Sequence, residues 1–170
     1  MAAEEILLDL VPLESMPHTV RTVLNLAARG LLNGGTFFLA RDHILVGGPV
    51  DAGDTVRNDR MSQRLAAEGY FPDGALLFKE DAGDACDHAQ HTVGFNQLGG
   101  PEFYINLLDN TANHGPRRLA DGTIREGDPC FARVVAGVDV VDRIVAMKDA
   151  RDDSLAGVYI VNVEVVDFPF

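Results

Sequence analysis

Apolar positions in this chain fall into short runs, most of them strand-like, separated by turn residues. Glu5 to Val11 is a brief apolar run with branched residues and predicts a strand. Ser15-Met16-Pro17-His18-Thr19 is a helix-entry signal, with proline and hydroxyl residues together. Val20, Val23, Leu24 and Ala27 then recur at helical spacing on one face, and Gly30 is placed as the stop. After the Gly34-Gly35 turn, Thr36 to Arg41 and Ile44 to Val46 predict two strands, the second ended by Gly47-Gly48-Pro49. Residues 51 to 60 are polar and read as a loop, and Met61 to Glu68 as a short helix before Gly69.

Further on, Ala75 to Phe78 is an apolar run, and Asp81 to Gln90 is acidic and irregular. Thr92 to Asn96 and Glu102 to Leu108 predict strands joined by Leu98-Gly99-Gly100-Pro101. Asp109 to Gly127 reads as a long loop rich in Asn, Gly, Pro and Asp. Cys130 to Val135 predicts a strand. Asp139 to Met147 predicts a helix with Val140, Val141, Ile144 and Val145 on its apolar side. Tyr159 to Phe168 predicts a closing strand. No internal repeat appears. Many short strands with a helix near each end point to a single mainly β domain, a sandwich or a barrel, spanning residues 1–170.

Composition narrows the picture. The chain has 170 residues and is 46% hydrophobic, enough for one well-buried core. No apolar run is long enough to predict a membrane span. The start, Met1-Ala2-Ala3-Glu4-Glu5, carries neither a basic nor an apolar leader region, and no compartment is indicated. A net charge of −12 repels phosphate backbones and argues against nucleic-acid binding. It suits a soluble surface, or an acidic face that meets a basic partner. Cys86 and Cys130 are too far apart for a metal knuckle and read as free buried thiols, since a disulfide needs a proximity that spacing does not show. His88 and His91 stand beside Cys86 and Asp87, but no further ligand pair accompanies them, so no metal site is assigned. No Walker, Rossmann or Gly-x-Ser-x-Gly pattern is present, and no cofactor is implied.

Three stretches carry a resemblance. The first is Met16-Pro17-His18-Thr19-Val20, followed by Gly34-Gly35-Thr36-Phe37-Phe38 and then Gly47-Gly48. The second is Gly100-Pro101-Glu102-Phe103-Tyr104-Ile105. The third runs from Cys130-Phe131-Ala132-Arg133-Val134 through Gly137 into Val140-Val141. In order and spacing they resemble the cyclophilin family of peptidyl-prolyl isomerases. His91-Thr92-Val93-Gly94-Phe95 and Asp109-Asn110-Thr111 are most similar to a divergent branch of that family in protists and algae. The resemblance implies a closed eight-stranded antiparallel barrel with a helix covering each open end, and a peptide groove on its outer surface.

The resemblance also assigns the groove, and there the chain departs from the family. An X-Pro bond isomerises slowly because its amide is partly a double bond, and a catalyst must favour the twisted form. The family uses an arginine for this. Its Phe-His-Arg triplet matches Phe37-Phe38-Leu39, so the arginine position is Leu39, which has no donor. Arg41 would share a strand face with it, displaced by about 6.6 Å, a poor substitute. The family's first glutamine falls at Val46 or Gly47, its second at Glu102, and its groove histidine at Asp128. Its groove tryptophan has no counterpart. Ile44 and Leu45 match the family's Phe-Met pair, Tyr104 the pocket floor, and Ile124 or Leu119 a pocket leucine. These apolar positions equally suit ordinary packing. The expectation is a cyclophilin-like domain with a degenerate isomerase site, acting mainly in protein binding or as a subunit of a larger assembly. Its partner would be a protein or a proline-containing peptide segment. The alternative is a weakly active isomerase with a non-standard groove.

Overall fold

The computed structural model describes residues 4–49, 55–71, 76, 78–96 and 101–166. In chain order its elements are β1 (Leu7–Leu10), α1 (Pro17–Ala28), β2 (Gly35–Ala40), β3 (Ile44–Gly48), α2 (Thr55–Ala67), β4 (Thr92–Phe95) and β5 (Phe103–Asn106). Then come the one-turn helix α3 (Thr111–His114), β6 (Arg117–Arg118), β7 (Ile124–Arg125), β8 (Cys130–Ala136), α4 (Val138–Ala146) and β9 (Tyr159–Ile160). Seven strands form one antiparallel sheet in the order β1-β8-β4-β5-β3-β2-β9, and β6 and β7 form a separate hairpin.

The register of this sheet builds the core. Ala40, Leu45, Ile105, Val93 and Ala132 stand opposite one another across β2, β3, β5, β4 and β8, and each is at most 1% exposed. Side chains alternate between the faces of a strand, so this row defines the inner face. Val20 and Leu26 of α1 and Val140, Val141 and Ile144 of α4 join the same core. The expected stripe of α4 is the face it buries, while α1 buries Val20 and Ala27 of its expected stripe together with Leu26 outside it, leaving Val23 and Leu24 partly buried.

Local chemistry sets the helix ends. Met16 offers α1 no side-chain cap, so the Glu80 carboxylate takes that role, accepting from His18 N at 3.1 Å and Thr19 N at 2.7 Å. Gly30 follows the helix at φ +62°, a left-handed conformation that favours glycine.

Several expectations are corrected. The sheet is an open half-barrel of seven strands, not a closed eight-stranded barrel. The closing strand is the reason. Among the described residues of that stretch, Tyr159–Ile160 alone pair as a strand, with Thr36 and Gly35 of β2. Beyond it the chain is held by side chains: Val163 N donates to Asn33 Oδ1 at 2.8 Å, and Asn33 Nδ2 to Asn162 Oδ1 at 2.8 Å. Among the described residues, no ladder then joins β9 to β1. The helix expected from Met61 begins at Thr55, inside the stretch read as a loop. Its buried contact rests on Leu65, with Met61 partly buried, and so narrow an apolar stripe hides the helical period. The expected loop from Asp109 to Gly127 contains α3 and the β6–β7 hairpin. Residues 75 and 77 of the apolar run, 97–100 of the β4–β5 connection and 167–168 of the last expected strand lie outside the described residues.

The cysteines are also corrected: Cys86 and Cys130 form a disulfide, with Cα atoms 5.5 Å apart. They are 44 residues apart in sequence, and only the placement of the 86–91 segment along β8 brings them together.

Candidate functional site

The other face of the same sheet carries the candidate groove. Leu39 stands opposite Val46, Val46 opposite Tyr104, and Tyr104 opposite Gly94, a row across β2, β3, β5 and β4. Each member neighbours a residue of the inner row, so this row faces outward. A register shift between Phe37 and Leu39 in β2 sets Leu39 against Val46 rather than Leu45. By the same alternation Ile44 faces outward, whereas Leu45 is a fully buried core residue.

Tyr104 is the centre of the row and is only 3% exposed. Glycine at position 94 makes room for it: a Cβ there would come within 2.7 Å of the Tyr104 hydroxyl and 3.1 Å of the Pro129 carbonyl. The hydroxyl donates to Asp128 Oδ2 at 3.1 Å. Its oxygen lies 3.4 Å from His88 Nδ1, placed to receive a proton from that ring. Asp128 Oδ2 also accepts from His114 Nδ1 at 2.8 Å. The His114 ring lies 4.6 Å from the Tyr104 ring, covering it from α3. His43, at the β2–β3 turn, stacks on His114 with ring centres 5.8 Å apart.

Four segments therefore meet over Tyr104, and the backbone holds them there. Asn110, fully buried, donates to the His43 carbonyl and to Asn106 Oδ1, both at 2.8 Å. Asn110 N donates to the His88 carbonyl, and Asp128 N to the His114 carbonyl at 2.7 Å. His88 adopts φ +59°, a left-handed conformation uncommon for a residue with a Cβ. The disulfide anchors this corner, because Cys86 lies two residues before His88 and Cys130 two residues after Asp128.

Electrostatics follow from this packing. Burial, and next the Asp128 carboxylate beside it, push the Tyr104 phenol far above its usual range. Burial and the neighbouring His114 lower the proton affinity of His43, and Arg41 lowers it further. His88 is lowered first by burial, against a raising influence from Asp128. Glu102 is raised by burial, and its side chain packs beside Gly48.

The expected site residues are thus only partly brought together. Leu39, Ile44, Tyr104 and Asp128 lie on or against the outer face. Arg41 is exposed at the β2–β3 turn beside His43. Ile124 and Leu119 belong to the β6–β7 hairpin region and are 66% and 40% exposed. His43, His88 and His114 were not singled out as groove residues by their spacing. The available signal was weak: a histidine next to each of three segments that flank a groove position. Among the described residues, no group of three side chains is placed to hold a metal ion, and Cys86 is committed to its disulfide. No helix among them is long and apolar enough to cross a membrane.

Residues 3–165 match the family model of the cyclophilin type peptidyl-prolyl cis-trans isomerase/CLD domain. The chain belongs to the cyclophilin family. Among solved structures it is similar to a cyclophilin type peptidyl-prolyl cis-trans isomerase of Cryptosporidium parvum. That match has a TM-score of 0.64 at 13% identity, over 96% of this chain and 92% of that one. The same parasite protein crystallised in the presence of the dipeptide Ala-Pro matches with a TM-score of 0.63 at 13% identity, over 95% and 93% of the two chains. No curated protein matches the chain. Fold similarity at such identity leaves the chemistry to be argued from the residues.

Proposed function

We propose that this cyclophilin domain is a protein-binding module with a degenerate isomerase groove, working within a larger assembly. The observation that carries the reading is the outer row itself. Leu39, and either Val46 or Gly47, supply no side-chain donor where the resemblance places the family's arginine and first glutamine, and the Tyr104 hydroxyl is already committed to Asp128. Isomerisation must overcome a barrier of ~18–20 kcal/mol. Loss of one preorganised donor commonly costs about 10²–10³ in rate.

A proline-containing or apolar segment is the favoured partner. Leu39, Ile44 and Val46 keep the outer face apolar, and the similar parasite cyclophilin was crystallised with Ala-Pro. An assembly role is supported by the exposed Leu108, Leu119 and Ile124 in the long segment after β5.

The test is a coupled prolyl-isomerase assay on the domain and on Leu39→Arg. The expected result is a wild type close to the uncatalysed rate, with a gain of about tenfold or more on restoring the donor. A wild type as fast as active cyclophilins would sink the reading. A weakly active isomerase is the second reading, favoured by the exposed guanidinium of Arg41 beside His43. Loss of residual activity in Arg41→Ala would establish it.

A further inference from the structure

Three imidazoles from three different segments meet beside Tyr104, and two of them, His88 and His114, neighbour the buried Asp128 carboxylate. His43 and His88 have ring centres 5.8 Å and 6.2 Å from that of His114. His114 gives its Nδ1 proton to Asp128, and its Nε2 is buried with no hydrogen-bond partner. A proton added at His43 or His88 would place a charge in a poorly hydrated corner, about 6 Å from the His114 ring.

We propose that this histidine cluster is a proton-operated latch, which holds α3 down over the groove when His43 and His88 are neutral and releases α3 when they become charged. The proposal concerns regulation of the groove assigned above and rests on that assignment for its biological meaning. Its readout needs no bound peptide, so the two ideas fail separately.

The surroundings of His43 and His88 support a closed state in which both are neutral. His114 on α3 faces Tyr104 from β5, Asp128 from the segment before β8, His43 from the β2–β3 turn and His88 from the segment before β4. Arg117 donates to the Ala112 carbonyl on the same short helix, adding a further positive charge. His43 also feels Arg41, and its nearest carboxylate, Asp42, is 96% exposed and bound to Lys148. His88 feels Asp128 and, more weakly, Asp81. Asp87 and Asp109 approach α3 through Thr111, whose hydroxyl bonds the Asp87 carbonyl and the Asp109 carboxylate. Among these groups Asp128 alone is a buried carboxylate in contact with the cluster, and it already serves Tyr104 and His114.

The sign follows from linkage. His43 and His88 bind protons less readily in the closed state than at their ordinary value of about 6.5. Closure is therefore fully favoured above that value and is lost as pH falls through the lower closed-state values.

Amide hydrogen exchange tests the latch. The reporters are Asn113, His114 and Gly115, whose amides bond back into α3, and Asp128, whose amide bonds the His114 carbonyl. Ile105 in the central strand is the reference. Going from about pH 7.5 to 5, the reporters should lose about tenfold in protection, after correction for intrinsic rates, while Ile105 holds. The double variant His43→Gln, His88→Gln should show a flat profile. A flat wild-type profile, or the same slope in the variant, overturns the proposal. Should the variant fold poorly, ring-proton NMR titration of the wild type decides: His43 and His88 titrating below about 6.5 support the latch, and values at or above it overturn the latch.

Discussion

The two faces of the central sheet are made by neighbouring residues of the same strands, yet they are built on different principles. On the inner face, Ala40, Leu45, Ile105, Val93 and Ala132 are apolar, buried and matched across five strands. On the outer face, Leu39, Val46, Tyr104 and Gly94 are roofed at Tyr104 by groups from three loops, which meet in hydrogen bonds. The inner row is held by non-directional burial, which tolerates similar side chains. The outer cluster is held by directional bonds, where removal of one partner leaves another buried and unpaired. Function varies on the second kind of surface because its parts come from segments that can change without unmaking the sheet.

Three perturbations sharpen this contrast. Reducing the Cys86–Cys130 bond should have the largest effect. It closes a 44-residue separation, and the chain-entropy relation gives about 4 kcal/mol. Because it anchors the segments of His88 and Asp128, reduction should loosen the outer cluster beyond its effect on global stability. Denaturant unfolding with and without reductant, together with amide exchange, would check both parts. Equal losses of protection on the two faces would break the contrast. Next, Ile105→Ala should cost about 3 kcal/mol by leaving a cavity in the inner row, read as a lower denaturation midpoint. The outer cluster should keep its bonds, since Ile105 touches none of them. Smallest is Gly94→Ala, at about 1–2 kcal/mol, because the new methyl meets the Tyr104 hydroxyl and the Pro129 carbonyl. Its signature should be local, a displaced Tyr104 ring seen by NMR, with the inner row unchanged.

Much of the fold was legible along the chain. The strands carrying the inner row, the helices α1 and α4, the Gly30 stop and the order of family-like motifs were all read from periodicity and turn residues. The open edge was not, because strand length at Tyr159–Ile160 depends on whether β1 lies within reach. The helix α2 was read only from Met61, because its first turns are rich in polar residues and look like loop. The absence of a side-chain donor at Leu39 needed only the residue type, whereas its pairing with Val46 across the strands needed a bulge in β2.

The residues alone determined that this chain can bury one apolar core and that it resembles the cyclophilins. Those properties depend on composition and short-range order, which a linear text carries in full. Only the tertiary structure decided that Cys86 meets Cys130, and that His43, His88, His114 and Asp128 gather over Tyr104. Such meetings join residues 40 or more positions apart as well as near neighbours. They are set by register, bulges and loop paths rather than by any pattern within one segment.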